Sequence, residues 1–236
     1  MSKADTSALH SSADDEGTNE HFTDPEIIDK CRLVVGDFDI DPFSCELANR
    51  DVRAKRIYTK PEDPNRGGGF ELPWKGVFFC NPPGGKWKGM GNQKRAWFKG
   101  MHEYDTGRSV GGVYICFSVE FLQVVQEPEG EQLVLETTQR ILPHRFPILY
   151  PARRLRYRTD KLPGPTKGQP DRKPSKKQIE DFEKTGLCFG SSPTHSSCIV
   201  LVPNPEDQAR QIELFCATFR SIGEVVVPRR FGLGHG

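Results

Sequence analysis

One stretch of the sequence carries residue types that could act directly on a substrate: Asn81-Pro82-Pro83. The Asn81 side chain offers one carbonyl acceptor and two N–H donors, whereas Pro82 offers a backbone carbonyl and no N–H. An amine on an aromatic ring is a poor nucleophile because its lone pair is delocalised, and two converging acceptors would aim that lone pair. Asn-Pro-Pro followed by Gly84 and Gly85 is equally the pattern of an ordinary turn, so its context must decide.

A strand is needed to position Asn81, and the sequence provides one. Residues 77–79 are a short apolar run bounded by Gly76, and the prolines that follow must end it because they cannot donate to a sheet ladder. Ligands of open α/β sheets bind beyond the carboxyl ends of the strands. We therefore expect Asn81 at the edge of a sheet, just beyond the carboxyl end of its strand.

Four short elements follow one another along the chain: Thr23-Asp24-Pro25, Asp39-Ile40-Asp41-Pro42, Trp74-Lys75-Gly76 and Asn81-Pro82-Pro83. In type, order and spacing they resemble the phage-type family of DNA N6-adenine methyltransferases. The resemblance extends over most of residues 20–203. Two positions depart from the family pattern, because Gly84 stands where an aromatic residue is usual and Asp24 splits the Thr-Pro pair.

The resemblance implies a shortened, Rossmann-like sheet that binds S-adenosylmethionine and transfers its methyl group to the N6 amine of adenine in DNA. It implies that Asn81, Pro82 and Pro83 are catalytic. It implies that the cofactor is bound by Thr23, Asp39, Asp41 and Pro42.

Thr23 and Asp41 also have purely structural interpretations. Thr23 followed by Glu26 three positions later is a capping-box pattern, which predicts a helix with Thr23 as its N-cap. Asp41 followed by Pro42 would suit the start of a helix over residues 43–49. No Gly-x-Gly loop stands near Asp41, so cofactor binding follows mainly from the resemblance.

Nucleic-acid contacts are expected from the segments that carry basic residues. Bases stack on aromatic side chains and cations track phosphates. Trp87, on a loop near Asn81, could supply the stacking surface that Gly84 lacks, whereas Trp74 and Trp97 are expected in the core. The residues expected to contact DNA are Gly84, Lys86, Trp87, Arg153, Arg154 and Arg156. Solvated basic loops are the alternative.

Composition narrows the class of protein. The 236 residues carry a net charge of +1, but residues 1–20 hold five acids against one lysine and almost nothing apolar, which predicts a disordered acidic tail. No apolar run reaches eighteen residues, and no signal-peptide pattern is present, so neither membrane insertion nor secretion is expected. The seven scattered cysteines lack metal-ligand spacing and indicate reduced thiols in an intracellular protein without a metal site.

The fold is predicted as α/β, with residues 21–230 forming one methyltransferase-like domain and 159–177 a flexible basic loop. Expected strands are 33–40, 54–59, 77–79, 111–117, 153–158, 198–202 and 225–227, and expected helices lie over 43–49, 92–104 and 119–126 and after Asn204-Pro205. Two other functions stay open. The domain could be an inert nucleic-acid-binding module, or it could methylate another planar amide or amine.

Overall fold

The computed structural model describes residues 21–59, 68–87, 90–126, 141–165, 170–190 and 196–231, so the predicted acidic tail lies outside it. The described residues form six α-helices. These are α1 (Pro25–Val35), α2 (Glu46–Val52), α3 (Asn92–Asp105), α4 (Phe121–Val124), α5 (Lys176–Thr185) and α6 (Gln208–Phe219).

The described strands lie before, between and after these helices. They are β1 (Phe22–Thr23), β2 (Ile40–Asp41), β3 (Arg56–Ile57), β4 (Gly76–Cys80), β5 (Lys86–Trp87), β6 (Met90–Gly91), β7 (Ser109–Cys116), β8 (Ile148–Pro151), β9 (Tyr157–Thr159), β10 (Cys188–Phe189), β11 (Cys198–Val202) and β12 (Gly223–Val226).

Seven of these strands make one mixed sheet in the order β12-β8-β11-β7-β4-β2-β3. Strands β3, β2, β4 and β7 run parallel, whereas β11 is antiparallel to both β7 and β8, and β12 is antiparallel to β8. A smaller sheet has the order β1-β9-β10. The protein is therefore a mixed α/β fold, as predicted at that level.

Helices cover both faces of the large sheet. Helices α1 and α6 pack on one face, where Ile28 and Phe215 meet Val113 of β7 in a buried apolar cluster. Helix α3 packs on the other face, where Trp74 and Trp97 are fully buried. Both tryptophans are core residues, as predicted.

Close approach of β4 and β7 at the centre of the sheet depends on Gly112. Its φ is +153°, and a Cβ there would lie 2.0 Å from the carbonyl oxygen of Phe78. Only glycine fits that contact, since backbone cannot give way as a flexible side chain does. The pairing fixes where β4 ends and hence where Asn81 begins.

A buried charged group lies at the end of α3. Glu103 is fully buried and pairs with both Lys99 and Arg108. We call these three residues the Glu103 cluster. Burial acts to raise the pKa of Glu103, but the hydrogen bonds and charges of its two partners outweigh it and lower the pKa. The cluster joins α3 to the start of β7.

Strands and helices of the apolar interior match the predictions best. Strand β11 spans residues 198–202 as predicted, β4 contains 77–79, and α3 extends the predicted helix by one residue. Strand β7 covers 109–116 against the expected 111–117, and β12 covers 223–226 against 225–227.

The prediction of a first strand over 33–40 was wrong. Residues 33–35 end α1, and only Ile40 and Asp41 form the strand. Helix α1 prevails because its buried positions, including Ile28, Cys31 and Val35, recur at helical spacing. The expected strands over 54–59 and 153–158 shrink to β3 and β9 for lack of longer partners.

Helix starts were also placed incorrectly. Asp24, not Thr23, is the N-cap of α1, because the Asp24 carboxylate accepts the Glu26 N–H. Asp41 does not cap α2, whose N-cap is Cys45. Helix α6 begins after Asp207 rather than at Asn204-Pro205, and α4 is four residues long.

The predicted basic loop over 159–177 extends from the last residue of β9 to the first two residues of α5. The described residues between these two elements, 160–165 and 170–175, contain no helix or strand. Helix α5, which was not predicted, begins at Lys176 with a full capping box between Ser175 and Gln178. The flexibility of the predicted basic loop stays a prediction.

Candidate functional site at the carboxyl edge of the sheet

The carboxyl ends of the parallel strands bring polar residues to one edge of the sheet. Asp41 ends β2, Asn81 follows β4, and Ser118 lies just beyond β7. From β2 the chain runs outward to β3 and then returns to β4 on the other side of β2. The strand order thus reverses between β2 and β4, which is where open α/β sheets form a ligand crevice.

Asn81 is held by a residue from the start of the described chain. Its Nδ2 donates a 2.8 Å hydrogen bond to the backbone carbonyl of His21. Because a carbonyl oxygen can only accept, this bond fixes which end of the amide faces His21. The Asn81 Oδ1 acceptor is therefore directed away from His21.

The segment after Asn81 is tied to the first turn of α3. Asn92 Nδ2 donates to the Gly84 carbonyl at 2.8 Å, and the Asn92 N–H donates to the Gly85 carbonyl at 2.9 Å. Pro82 is buried, whereas Pro83 and Gly84 are exposed. The turn that presents the Pro82 carbonyl is thus fixed at both ends.

Asp41 is a buried carboxylate beside this turn, with 2% of its surface exposed. Burial raises the pKa of Asp41 to about 7, an effect that is partly offset by the hydrogen bond from the Phe43 N–H. The pairing of β2 with β4 brings Asp41 close to Cys80. Burial raises the pKa of the Cys80 thiol, and the neighbouring Asp41 charge raises it further. Such a carboxylate favours a cationic neighbour, since burial without one is costly. Pro42, next in the chain, is also buried.

In the segment that contacts Asn81 through His21, two side-chain polar atoms are buried and lack a hydrogen-bond partner among the described residues. They are Thr23 Oγ1 and His21 Nδ1. Buried polar atoms are nearly always paired in proteins, so such atoms mark places where a ligand can complete the bonding. Burial lowers the pKa of His21, which keeps its imidazole neutral near pH 7.

Aromatic rings line the same edge. The His21 ring stacks on Phe117 with a centroid distance of 5.4 Å, and it makes a T-shaped contact with Tyr157 at 5.9 Å. The Tyr157 hydroxyl bonds to Ser197 Oγ at 2.9 Å, and Ser197 Oγ reaches the Phe117 carbonyl. These contacts fix the position of β9, the partner of β1, and thereby the position of His21.

Asp39 does not lie at this edge. Its carboxylate accepts from the Val77 N–H at 2.8 Å and pairs with Lys55 at 2.8 Å. Val77 is four strand residues before Asn81, a separation of about 13 Å. Partial burial alone would raise the pKa of Asp39, but the bonds from Lys55 and Val77 lower it. The geometry gives Asp39 a structural role in joining β2 to β4.

The predicted DNA-contacting residues are only partly brought together. Arg153 and Arg154 are exposed just beyond the end of β8, which lies at the same edge as Asn81. Arg156 instead lies over the Phe189 ring at 4.2 Å and pairs with Asp24 at 3.4 Å. Lys86 and Trp87 form β5, but their side chains lie outside the described part of the structure.

Sequence reasoning did not single out His21, whose backbone carbonyl accepts a hydrogen bond from Asn81. Its contact with Asn81 spans 60 positions of the chain, and a lone histidine before an N-cap carries no local signal. Among the described residues no group of His, Cys, Asp and Glu side chains is placed to bind a metal ion.

Comparison of the chain with protein-family models, with curated proteins and with solved structures finds no match. Within the described ranges, no helix has both the length and the apolar character that crossing a bilayer requires.

Proposed function

We propose that the protein transfers a methyl group from S-adenosylmethionine to the N6 amine of adenine in DNA. The observation that carries this proposal is the orientation of Asn81. Its amide nitrogen bonds to an acceptor, its oxygen is directed away, and it follows the strand next to the point where the strand order reverses. An oriented acceptor at the position where open α/β sheets bind their ligands suits an exocyclic amine.

The sheet supports a Rossmann-like interpretation of the fold. Parallel strands β3, β2, β4 and β7 provide the half that contains the reversal, and antiparallel β11 lies between β7 and β8. The short strands β2 and β3 of this sheet agree with the shortened sheet that the family resemblance implies. Fold alone does not define an activity, so the site residues carry the argument.

The residues at the edge fit a cationic methyl donor. Asp41 supplies a buried carboxylate that a positive charge would stabilise, and Thr23 supplies a buried hydroxyl without a partner among the described residues. These two residues would hold the donor, whose sulfonium supplies an electrophilic methyl carbon. Asp41 is enclosed, so binding requires the layer over Asp41 and Pro42 to open.

Asn81 and Pro82 would act on the amine. Their two carbonyl oxygens accept its two hydrogens, which holds the nitrogen lone pair out of the ring plane and aims it at the methyl carbon. The nitrogen–carbon bond forms as the sulfur–carbon bond breaks, and one amine proton is released to water. The exposed Arg153 and Arg154 would contact phosphates at the same edge.

The test combines donor binding with methyl transfer. Purified protein is titrated in a calorimeter with S-adenosylmethionine and, separately, with DNA, and it is then incubated with donor labelled in its methyl group. Substrates are DNA with adenine, DNA without adenine, and unfolded protein rich in glutamine. We expect binding, and label only in adenine-containing DNA.

Two outcomes would replace the proposal. DNA binding without donor affinity would identify an inert nucleic-acid-binding module, since such a module has no need of a cofactor pocket. Label in the protein substrate would identify a methyltransferase for another planar nitrogen. Absence of both donor binding and label would refute methyl transfer altogether.

A further inference from the structure

We propose that a cavity at the amino edge of the large sheet binds a phosphate group, free or carried by a small organic molecule, between the guanidinium groups of Arg145 and Arg230. The amino edge is the one at which the parallel strands β4 and β7 begin. The inference is independent of the proposed function, because it concerns a different part of the fold from Asn81.

The cavity lies between three segments that are distant in sequence. Arg145 ends a short 3-10 helix just before β8, Gln208 is the first residue of α6, and Arg230 belongs to a second 3-10 helix, which follows β12. These three residues line a cavity of about 350 Å³. This volume is near the lower end of the range for pockets that bind small organic molecules, about 300–1,000 Å³.

The register of the sheet separates this cavity from Asn81. Strand β11 is antiparallel to both β7 and β8, and its last residue, Val202, pairs with Gly112 in the first half of β7. The beginning of β8 and the segment after β11 therefore lie beside the start of β7. Asn81 follows the far end of β4, which runs parallel to β7. The cavity and Asn81 are thus at opposite edges of the sheet.

The cavity contains two positive charges and, among the described residues that line it, no carboxylate. Within the described ranges, neither guanidinium makes a hydrogen bond or an ion pair. Asp207, which precedes Gln208, pairs with Arg210 instead. Burial lowers the pKa of Arg230, and the charge of Arg145 lowers it further, as expected of two cations that face one space. An anion between the two cations would be attracted by both.

Aromatic contacts hold Arg230 at the cavity wall. Its guanidinium carbon lies 5.0 Å from the ring centroid of Phe146 and 4.4 Å from that of Phe231. Phe146 is buried and packs against the ring of Tyr104. Contacts with aromatic rings position a guanidinium without giving its N–H groups an oxygen acceptor, so those donors remain for a ligand. A guanidinium that is already ordered loses less entropy when the ligand binds.

The number and type of donors favour phosphate over carboxylate. Guanidinium groups bind both anions through paired N–H···O hydrogen bonds. A terminal phosphate has three free oxygens and a charge of about −1.5 to −2 at pH 7, which matches two arginines. Its third oxygen can accept from the side-chain amide of Gln208. A single carboxylate has two oxygens and one charge, so it would leave part of the positive charge uncompensated.

The experiment is a calorimetric titration of the full chain with four probes: inorganic phosphate, ribose 5-phosphate, ribose and succinate. None of the probes contains adenine, so none reports on the proposed methylation site. The variants are Arg145→Gln and Arg230→Gln. The matched control is Arg229→Gln, which removes an exposed arginine that is not among the described residues lining the cavity. Circular dichroism checks the fold of each variant, and Arg145→Gln is the decisive one because Arg145 makes no hydrogen bond or ion pair within the described ranges.

We expect at least one of the two phosphate probes to bind the wild type with a dissociation constant below about 1 mM. Ribose and succinate should bind at least about tenfold more weakly. Arg145→Gln and Arg230→Gln should each weaken phosphate binding by roughly 10- to 150-fold, the range for a lost hydrogen bond to a charged group. Arg229→Gln should leave it unchanged. Tighter binding of ribose 5-phosphate than of phosphate identifies a phosphorylated small molecule as the ligand, and equal binding identifies free phosphate.

Several results would overturn the proposal. They are the absence of binding by both phosphate probes up to about 10 mM, succinate binding as tight as that of phosphate, and a loss in Arg229→Gln as large as in Arg145→Gln. Duplex DNA binding that Arg145→Gln weakens, in a protein that binds neither small phosphate, would assign the cavity to a DNA-contacting surface and would also overturn it. Phosphate binding by a protein without affinity for S-adenosylmethionine would support this inference while refuting the proposed function.

Discussion

The substitution Asp41→Asn tests whether the folded protein buries the Asp41 carboxylate at the carboxyl edge of the sheet without a cation to compensate its charge. Asp41 is 2% exposed and accepts a hydrogen bond from the Phe43 N–H. Asparagine keeps the shape and an acceptor oxygen for that bond but cannot ionise. The variant therefore removes the buried charge and little else.

The size of the effect follows from the pKa of Asp41. Burial raises it to about 7 in the folded protein, from an ordinary value of 3.8. A carboxyl whose pKa rises on folding stabilises the protein at pH values below its unfolded pKa. This stabilisation is lost as the pH rises towards its folded pKa. The difference between the two pKa values corresponds to about 4 kcal/mol in the free energy of unfolding. This free energy is lost at no more than about 1.4 kcal/mol per pH unit.

The assay is urea unfolding of wild type and Asp41→Asn between pH 4.5 and 8. Other titrating groups are common to both proteins, so the difference between the two unfolding free energies isolates Asp41. We expect the variant to gain about 3 kcal/mol relative to the wild type over this range, with the change ending near pH 7.

If the unfolding free energies of the two proteins changed with pH in the same way, the reasoning would be refuted, because Asp41 would then titrate alike in the folded and unfolded chains. The same pair of proteins tests the link to function. If a cationic donor pairs with Asp41, wild-type affinity for S-adenosylmethionine should rise as pH increases through about 7, and Asp41→Asn should bind weakly with no such rise.

Two further substitutions test the framework that positions the site. Glu103→Gln should destabilise the protein by about 3 kcal/mol in urea unfolding because it removes the buried charge that pairs with the largely buried Lys99 and with Arg108, whereas Glu180→Gln in an exposed pair should cost under about 1 kcal/mol. Gly112→Ala should cost about 3 kcal/mol or more, because its Cβ would meet the Phe78 carbonyl, while Gly164→Ala, with open space around it, should stay within about 0.5 kcal/mol. Equal costs for a substitution and its control would contradict either prediction.

The interior of the fold could be predicted from sequence because its signals are local. The run that forms β11 is apolar throughout and branched from Ile199 to Val202, and the pattern of α3 places Trp97 and Met101 on one buried face. The short strands were not predictable in this way. Ile40 and Asp41 form a strand only because β3 and β4 flank them, which is a property of the assembled sheet.

The candidate site was predictable where residues follow a strand and not where distant segments meet. Asn81 could be placed at the sheet edge because two prolines must end β4. Asp39 and Asp41 look equivalent in sequence, yet one lies before β2 and bonds Val77 while the other ends the strand. The contact of His21 with Asn81 depends on the pairing of β1 with β9, which no local pattern encodes.

The most direct test of the central claim is methyl transfer by Asn81→Ala, compared with the wild type and with donor affinity measured on the same samples. Asn81 is proposed to hold the amine and not the donor. We predict that the variant binds S-adenosylmethionine as tightly as the wild type and transfers methyl groups to adenine at least about a hundredfold more slowly. Wild-type rates of transfer in Asn81→Ala would contradict the account.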